Sequence, residues 1–458
     1  MIPEKAKAGI EELTRDELIA LVNELLDRLS AVEEKLQLKQ TPTTSKNSSQ
    51  PPARDFKGEK KKRKRSRKKG AKAGHERHER ALVDEPSKVI EVYVDNCSNC
   101  HLNLLDQVPV RTVRRQITEL PEIEPVVIET RQHEVICPCC GERQVGQLPE
   151  GLEAGRYFGP RLETLVTILH HEHHIGFERL VQICGEIFHL PLSEGGAVAI
   201  VQRAGQAVQA AAVAIWEQVR RSTILGSDET SVRVNGRNYW HWVFVGGQCE
   251  YHLIVPSRGY DVIETFMQEC EADVWVSDCW KAQLQAPAKL RQICLAHQIR
   301  NLQGLIDRRP QLRWAREMQA LFRKAIRLGN RREQLTERGY QRQVLILQKE
   351  LERLLQRQFR GLGTNLLERY RKYRDSLFVF LQRSDVPADN NACERALRPS
   401  VIHRKVMGSF RSEWGAQAYA ALTTALNTAK RNGESAFQKL ASLMGTPVLP
   451  FLLQPALA

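Results

Sequence analysis

The sequence has no apolar run approaching the ~20 residues of a membrane span. Its opening residues, with Glu4, Lys5 and Lys7, lack the apolar stretch of a signal peptide. The expectation is a cytoplasmic, nucleoid-associated protein that does not engage a membrane. Cysteine is too sparse for a disulfide scaffold, with 11 in 458 residues, so spacing carries more information than number. Acids are the minority charge: 54 Asp and Glu stand against 68 Lys and Arg, for a net +14. That excess suggests a polyanionic partner, most commonly nucleic acid. The length exceeds one typical domain, which favours a catalytic core with accessory modules.

Residues 12–40 read as a helix. Thr14 followed by Glu17 is a capping-box pattern. Leu18, Val22, Leu25, Leu29, Val32 and Leu36 keep the alternating spacing of a coiled coil, which points to self-association as a homo-oligomer, with packing on the same chain as the alternative. Residues 41–87 read as a disordered basic linker. Between Lys57 and Lys72 it holds eleven Lys or Arg and the single acid Glu59. Lys60, Lys61, Lys62, Arg63, Lys64 and Arg65 are the densest part, suited to phosphate contacts that add affinity without sequence choice. Residues 88–150 carry short β-rich runs and paired cysteines. Residues 151–221 read as a helical DNA-binding region, with one long Ala/Val-rich helix after "HLPLSEGG". A helix-turn-helix reader and ordinary helix packing both fit that pair. The "HHEHH" cluster at 170–174 is expected on a helix surface facing DNA or solvent.

From 222 to 445 the pattern changes. Three β-type runs are separated by turns near Asn235-Gly236 and Gly246-Gly247. A helix, the strand "ADVWVSD" and a short strand candidate "QICLAH" follow. Residues 297–385 read as an all-helical insertion. Two helices close the segment, the first beginning near Asp389-Asn390-Asn391 and ended or kinked at Pro399, the second capped by Gly433. The order is that of a multidomain α/β protein with an RNase H-like core.

Cys97-x2-Cys100 and Cys137-x2-Cys140 form two metal knuckles suited to one structural, tetrahedral Zn²⁺. Cys139 is the poorer ligand, and chance cysteines in a reduced core are the alternative. Cys294 and His297, with Cys279, are read as packing residues rather than a second zinc site.

Two-metal phosphodiester chemistry needs carboxylates brought together from distant parts of the chain, with hard oxygen ligands for Mg²⁺ or Mn²⁺. Asp228 lies in the first strand run, and Asp278 ends the later strand, so adjacent strands would bring both to one edge of the sheet. Glu394 falls in the first turns of the helix after the insertion. Each acid alone is matched by a surface alternative. Glu229 competes with Asp228, but strand alternation points it to the other face. Arg398 shares a helix face with Glu394 and could hold a phosphate or the Glu itself.

The runs "KKGAKAGHERHER", "GSDETSVRVNG", "VSDCWKAQ", "CLAHQIRNL" and "DNNACERALRPSVIHRKVMGSF", in this order, resemble the transposases of the insertion-sequence-66 family over nearly the whole chain. The resemblance implies a DD(E) transposase with metal ligands Asp228, Asp278 and Glu394, and a structural zinc on Cys97, Cys100, Cys137 and Cys140. It also implies that Asn390 and Asn391 before Glu394, and Arg395, Arg398, Arg404 and Lys405 after it, shape the DNA side of the site. Val401 stands where many such enzymes carry a basic residue, so that role would fall to Arg398 or Arg404. Expected partners are double-stranded DNA, as element ends and target, further copies of the chain, and other proteins of the element. A DNA-binding protein without catalysis, and a nuclease acting on RNA or DNA junctions, are the other function classes.

Overall fold

The computed structural model describes residues 14, 15, 22, 24, 81–148 and 156–445. The expected coiled coil at 12–40 and the basic arm at Lys60–Arg65 therefore lie outside the described residues, save four positions of the former. The chain divides into two compact units. The smaller one includes residues 81–126 with Ile187–His189, and the larger one residues 127–186 and those from Leu190 onward.

In the smaller unit regular structure is scarce. An isolated bridge joins Asn96 to Asn103, and Val83 exchanges hydrogen bonds with the Gln116 amide. The larger unit adds the hairpin β1 (Glu134–Ile136) and β2 (Arg143–Val145). The β character expected over 88–150 is limited to these pieces among the described residues.

The larger unit is a mixed sheet between helical layers. Its strands are β3 (Ile224–Val234), β4 (Arg237–Gly246), β5 (Cys249–Val255), β6 (Ala272–Ser277) and β7 (Ala288–Ile293), in the spatial order β5-β4-β3-β6-β7. The first three pair antiparallel, while β6 and β7 join parallel to β3. Asn235 and Gly236 both have positive φ and make the two-residue hairpin turn that Asn-Gly favours. The "QICLAH" candidate is split: Gln292 and Ile293 end β7, and Leu295 already begins a helix.

Alternation assigns the faces. Leu225, Trp242, Phe244 and Trp275 bury against one helical layer, made by α4 (Gln209–Arg220) and α5 (Tyr260–Met267), which α1 (Pro160–His171), α2 (Phe177–Phe188) and α3 (Glu194–Ala207) precede in the chain. The short α6 (Lys281–Leu284) lies on the same side through Ala282. On the opposite face Val274 and Val276 join the core of the helical stretch, and Val243 and Val245 pack on Cys393, Ala396 and Leu397.

That helical stretch comprises α7 (Leu295–Arg308), α8 (Arg313–Gly329), α9 (Glu337–Leu355), α10 (Thr364–Lys372) and α11 (Val379–Gln382). In α9, Tyr340, Val344, Leu347, Leu351 and Leu354 repeat at four and three, so one stripe buries while the mostly polar remainder, with Leu345 and Ile346, faces water. Gln292 of β7 pins the stretch to the sheet, its side chain accepting from Phe380 N–H at 3.0 Å and donating to Leu377 at 3.2 Å.

Three helices, rather than two, close the unit: α12 (Asn391–Val406), α13 (Glu413–Arg431) and α14 (Ala436–Leu443). Pro399 does not end α12, which continues to Val406. Gly433 follows α13 with φ of 77°, the left-handed position of a helix end. Buried α13 covers the β5 edge: Thr424 and Thr428 hydroxyls accept from the backbone N–H groups of His252 and Glu250 at 2.9 and 3.2 Å. This satisfies donors that an open edge strand would leave for another chain.

The long helix expected after "HLPLSEGG" breaks at Val208 into α3 and α4, bent by 42°. Ala204, Val208 and Ala212 turn inward there against Leu422, Ala425 and Leu426 of α13. Among the described residues no single helix is long and apolar enough to cross a membrane.

Candidate active site

Strand register brings the two aspartates together. Parallel β3 and β6 pair Ile224 with Val274 and Gly226 with Val276. Asp228 lies two residues past Gly226 and Asp278 two past Val276, so both fall at the same level and on the same face. The apolar face residues Val274 and Val276 confirm that direction. Burial raises the Asp228 pKa well above the usual carboxylate range, and the charges of Glu229, Asp278 and Glu394 raise it further.

Glu394 comes to this face on α12. Asn390 caps that helix with its backbone, while its side-chain amide donates to Ser227 O of β3 at 2.7 Å. The Asn391 N–H bonds Asp389 Oδ1 at 3.1 Å instead. Asn390 N–H also donates to Cys294 Sγ at 3.1 Å, and Leu295 N–H to Ala388 O at 3.0 Å, which ties the start of α12 to the start of α7. Gly226 permits this approach: a Cβ there would stand 2.9 Å from Cys393 Sγ and 3.1 Å from Asn390 Oδ1.

The carboxylate of Glu394 accepts from Arg300 Nη2 at 2.8 Å and lies 3.6 Å from His297 Nδ1. Among the described residues, one set of three metal-capable side chains has ligand atoms within 4.8 Å of one another: Cys294, His297 and Glu394. Cys279, grouped with the first two in the sequence reading, is outside that set and meets Gln298. Burial pushes the Cys294 thiol up to about 12 and lowers the pKa of His297, on which the Arg300 charge acts in the same direction.

Glu229 points to the other face, where it takes Arg258 at 2.7 Å and the Gln283 amide. Neither Asp228 nor Asp278 has a Lys or Arg partner among the salt bridges of the described residues. Asp228 and Asp278 thus offer hard oxygen, repel one another and have no side-chain cation beside them, which suits divalent ions of the Mg²⁺ type; neither belongs to the set that Glu394 forms with Cys294 and His297.

The expected DNA-side residues divide. Arg398 and Lys405 are exposed. Arg404 is turned back onto β3, donating to the Ser231 carbonyl and lying 3.5 Å from Thr230 Oγ1. The "HHEHH" expectation is corrected: His171 is buried against Tyr419, and His170 stacks on Phe177 with its Nδ1 2.9 Å from Ile175 O. Of the cluster, His173 alone is exposed. Helical spacing could not reveal the burial of His171, because α13, which covers it, lies some 250 residues on in the chain.

Each cysteine knuckle has the same turn. The N–H of Cys97 donates to Leu102 O at 2.9 Å and that of Cys137 to Glu142 O at 2.8 Å. The residues four on, His101 and Gly141, have φ of 58° and 72° and donate back to the cysteine carbonyls. Backbone N–H groups of Cys100 and Asn99 aim at the Cys97 sulfur, and those of Cys140 and Cys139 at Cys137, which lowers both thiol pKa values. Two copies of a thiolate-favouring turn suit a Zn²⁺ ligand pair. Cys97 and Cys100 belong to the smaller unit, Cys137 and Cys140 to the larger.

Sequence reasoning missed Arg300, which lies within the quoted "CLAHQIRNL" run but 94 residues from its Glu394 partner. It also missed the packing of Trp280 on Arg258, a contact across 22 residues.

Comparison with known families gives two matches. A family model described as Transposase IS66 family matches residues 155–418, more than half of the chain. A second, described as a family of unknown function (DUF6444), matches residues 1–81. No curated protein matches the chain.

Proposed function

The chain belongs to the IS66 transposase family, and from that premise we propose that it is a DD(E) transposase that cuts and joins DNA at Asp228, Asp278 and Glu394. One observation carries the proposal: β3–β6 register sets Asp228 and Asp278 level on the face that receives the Glu394 helix. The strand order, with three antiparallel strands and two parallel additions, supports an RNase H-like core interrupted by the helical stretch 295–382.

In this reading Asp228 and Asp278 are ligands for Mg²⁺ or Mn²⁺, with Glu394 the third. Two such ions, when bound, supply Lewis-acid activation of the attacking oxygen and stabilise the leaving oxygen. The chain's own groups do the positioning. Asn390 and Gly226 set the distance between the Glu394 helix and the Asp228 strand. Arg300 orients the Glu394 carboxylate. Exposed Arg398 and Lys405 face an incoming phosphate backbone. Arg404 serves α12, holding it on β3, and is withdrawn from the DNA contacts assigned to it by resemblance.

Around this core, the knuckles Cys97-x2-Cys100 and Cys137-x2-Cys140 serve as structural Zn²⁺ ligand pairs, residues 151–221 contribute to DNA binding, the basic arm at Lys60–Arg65 adds sequence-independent affinity, and the 12–40 segment joins copies of the chain. The substrates are the terminal inverted repeats of the element and target DNA, and the enzyme works where that DNA lies, with other proteins of the element as candidate partners.

The test is purified protein with element-end duplex and Mg²⁺ or Mn²⁺. Wild type nicks at the element end, and Asp228→Ala, Asp278→Ala and Glu394→Ala each abolish nicking with DNA binding close to normal. Binding without nicking by wild type under either ion would instead establish a DNA-binding protein without catalysis.

A further inference from the structure

The spacing Cys294-x2-His297 acquires a third donor in the fold. Cys294 is the N-cap of α7 and His297 stands three residues on, so both side chains fall on one side of the helix start. The start of α12 is tied to that turn, and Glu394 lies in the first turn of α12. His297 Nδ1 is 3.3 Å from Cys294 Sγ and 3.6 Å from Glu394 Oε1, and the three ligand atoms all lie within 4.8 Å of one another. Bonds of about 2.0–2.3 Å to a tetrahedral Zn²⁺ set its donors roughly 3.3–3.6 Å apart, so one ion reaches these atoms with little movement.

The donors select the ion. A thiolate and an imidazole suit Zn²⁺, whereas Mg²⁺ takes hard oxygen. A thiolate and a carboxylate also neutralise its two charges. Outer partners of the kind that orient zinc ligands are present as well. The Asn390 N–H points at the Cys294 sulfur at 3.1 Å, and Arg300 Nη2 donates to the Glu394 carboxylate at 2.8 Å. A histidine–carboxylate contact accounts for two of the three groups, but not for the sulfur within reach of both. Neither aspartate belongs to the set. The two groups are still neighbours, since the charge of Asp278 acts on His297 and that of Glu394 on Asp228.

We propose that Cys294, His297 and Glu394 form a further metal site, separate from the cysteine knuckles, which takes Zn²⁺ or a similar borderline-soft ion and inhibits DNA cleavage by claiming Glu394 from the Mg²⁺ or Mn²⁺ centre. The inhibition rests on the transposase reading; the binding site does not. As the sulfur–zinc bond forms, the Cys294 thiol gives up its proton to solvent, while His297 and Glu394 each donate a lone pair.

The test is a titration of metal-free, full-length protein with Co²⁺, whose thiolate charge-transfer band reports sulfur ligation, followed by competition with Zn²⁺. The cysteine knuckles contribute alike to wild type and variants, so the difference isolates the site. Cys294→Ser keeps an acceptor for the Asn390 N–H, and His297→Gln leaves the sulfur in place. Each should bind one ion fewer per chain than wild type, with a weaker thiolate band. Equal metal content and an equal band in all three proteins overturn the site. Cleavage of element-end DNA in Mg²⁺ is read separately, each protein against its own zinc-free rate. Zn²⁺ at about ten times the dissociation constant from the titration should slow wild type roughly tenfold by mass action and leave both variants little affected. No slowing of wild type, or equal slowing of all three, overturns the inhibition. If the variants lose the ion but wild type cleaves nothing in zinc-free Mg²⁺, the site stands and the transposase reading falls.

Discussion

Gly226→Ala probes the distance between the strand of Asp228 and the helix of Glu394. The added Cβ would lie 2.9 Å from Cys393 Sγ and 3.1 Å from Asn390 Oδ1. Ordinary contacts between such atoms begin near ~3.5 Å, so something must move by about half an ångström. Neither neighbour yields easily. Cys393 is fully buried, and Asn390 is held by its bond to Ser227 O at 2.7 Å. The relief available is a shift of α12 away from β3, which carries Glu394 with it. Overpacking of this kind costs about 1–3 kcal/mol. A displacement approaching 1 Å in a catalytic group lowers turnover on the order of 100-fold. Thermal unfolding and single-turnover cleavage of element-end DNA read the two effects. Cys393→Ala removes the nearer obstacle, so Gly226→Ala/Cys393→Ala should recover part of the activity lost by Gly226→Ala alone. The reasoning is refuted if Gly226→Ala matches wild type in both assays, or if the second substitution recovers nothing.

Other perturbations test separate parts of the structure. His403 packs among His174, Tyr419 and Phe410, and burial, with the charges of His174 and His170, pushes its pKa down to about 3. A depressed histidine pKa means that the unfolded chain takes up the proton first. Its stabilising effect is therefore complete above about pH 6.5 and is lost as pH falls from there towards 3, by about 2 kcal/mol at pH 5. Denaturant titrations across that range should show the decline, and His403→Gln should shallow it. Asp228→Asn removes a carboxylate that repels Glu229, Asp278 and Glu394, and should raise the unfolding temperature of metal-free protein while abolishing cleavage; an unchanged or lower temperature would contradict the electrostatic picture. Asn390→Ala deletes the tether to Ser227 O and should lower cleavage more than DNA binding, measured side by side. At neutral pH, iodoacetamide should modify Cys97 and Cys137 in zinc-free protein well before buried Cys184, Cys294 and Cys393, as peptide mapping would show.

Much of the sheet was readable because its signals are local. Asn235-Gly236 marks a hairpin by its own φ preference, and the apolar alternation of β3 to β6 gives strand and face together. The family was readable for a similar reason, since its runs are contiguous. What escaped the sequence depends on partners far along the chain. His171 looked like a surface residue until α13 covered it, and the Ala/Val-rich helix looked continuous until Val208 had to turn into the same core. Pro399 was read as ending or kinking its helix, and α12 does not end there because packing on β4 through Ala396 and Leu397 outweighs one missing hydrogen bond. Arg404 carried a substrate-side role by position, and its bond to Ser231 O became visible only when α12 lay along β3. The three carboxylates could be named as candidates from their settings, whereas the pairing of Glu394 with Arg300 and the stack of Trp280 on Arg258 required coordinates.

Replacing the bridging 3′-oxygen of the cut phosphodiester with sulfur tests most directly whether metal held by these carboxylates performs the cut. Sulfur binds Mg²⁺ poorly and Mn²⁺ better. Wild type should cleave the sulfur-substituted element end slowly in Mg²⁺ and recover in Mn²⁺, with Asp228→Ala and Asp278→Ala inactive in both. Equal relative rates in the two ions, or cleavage by either variant at the wild-type rate, would contradict a metal centre on Asp228, Asp278 and Glu394.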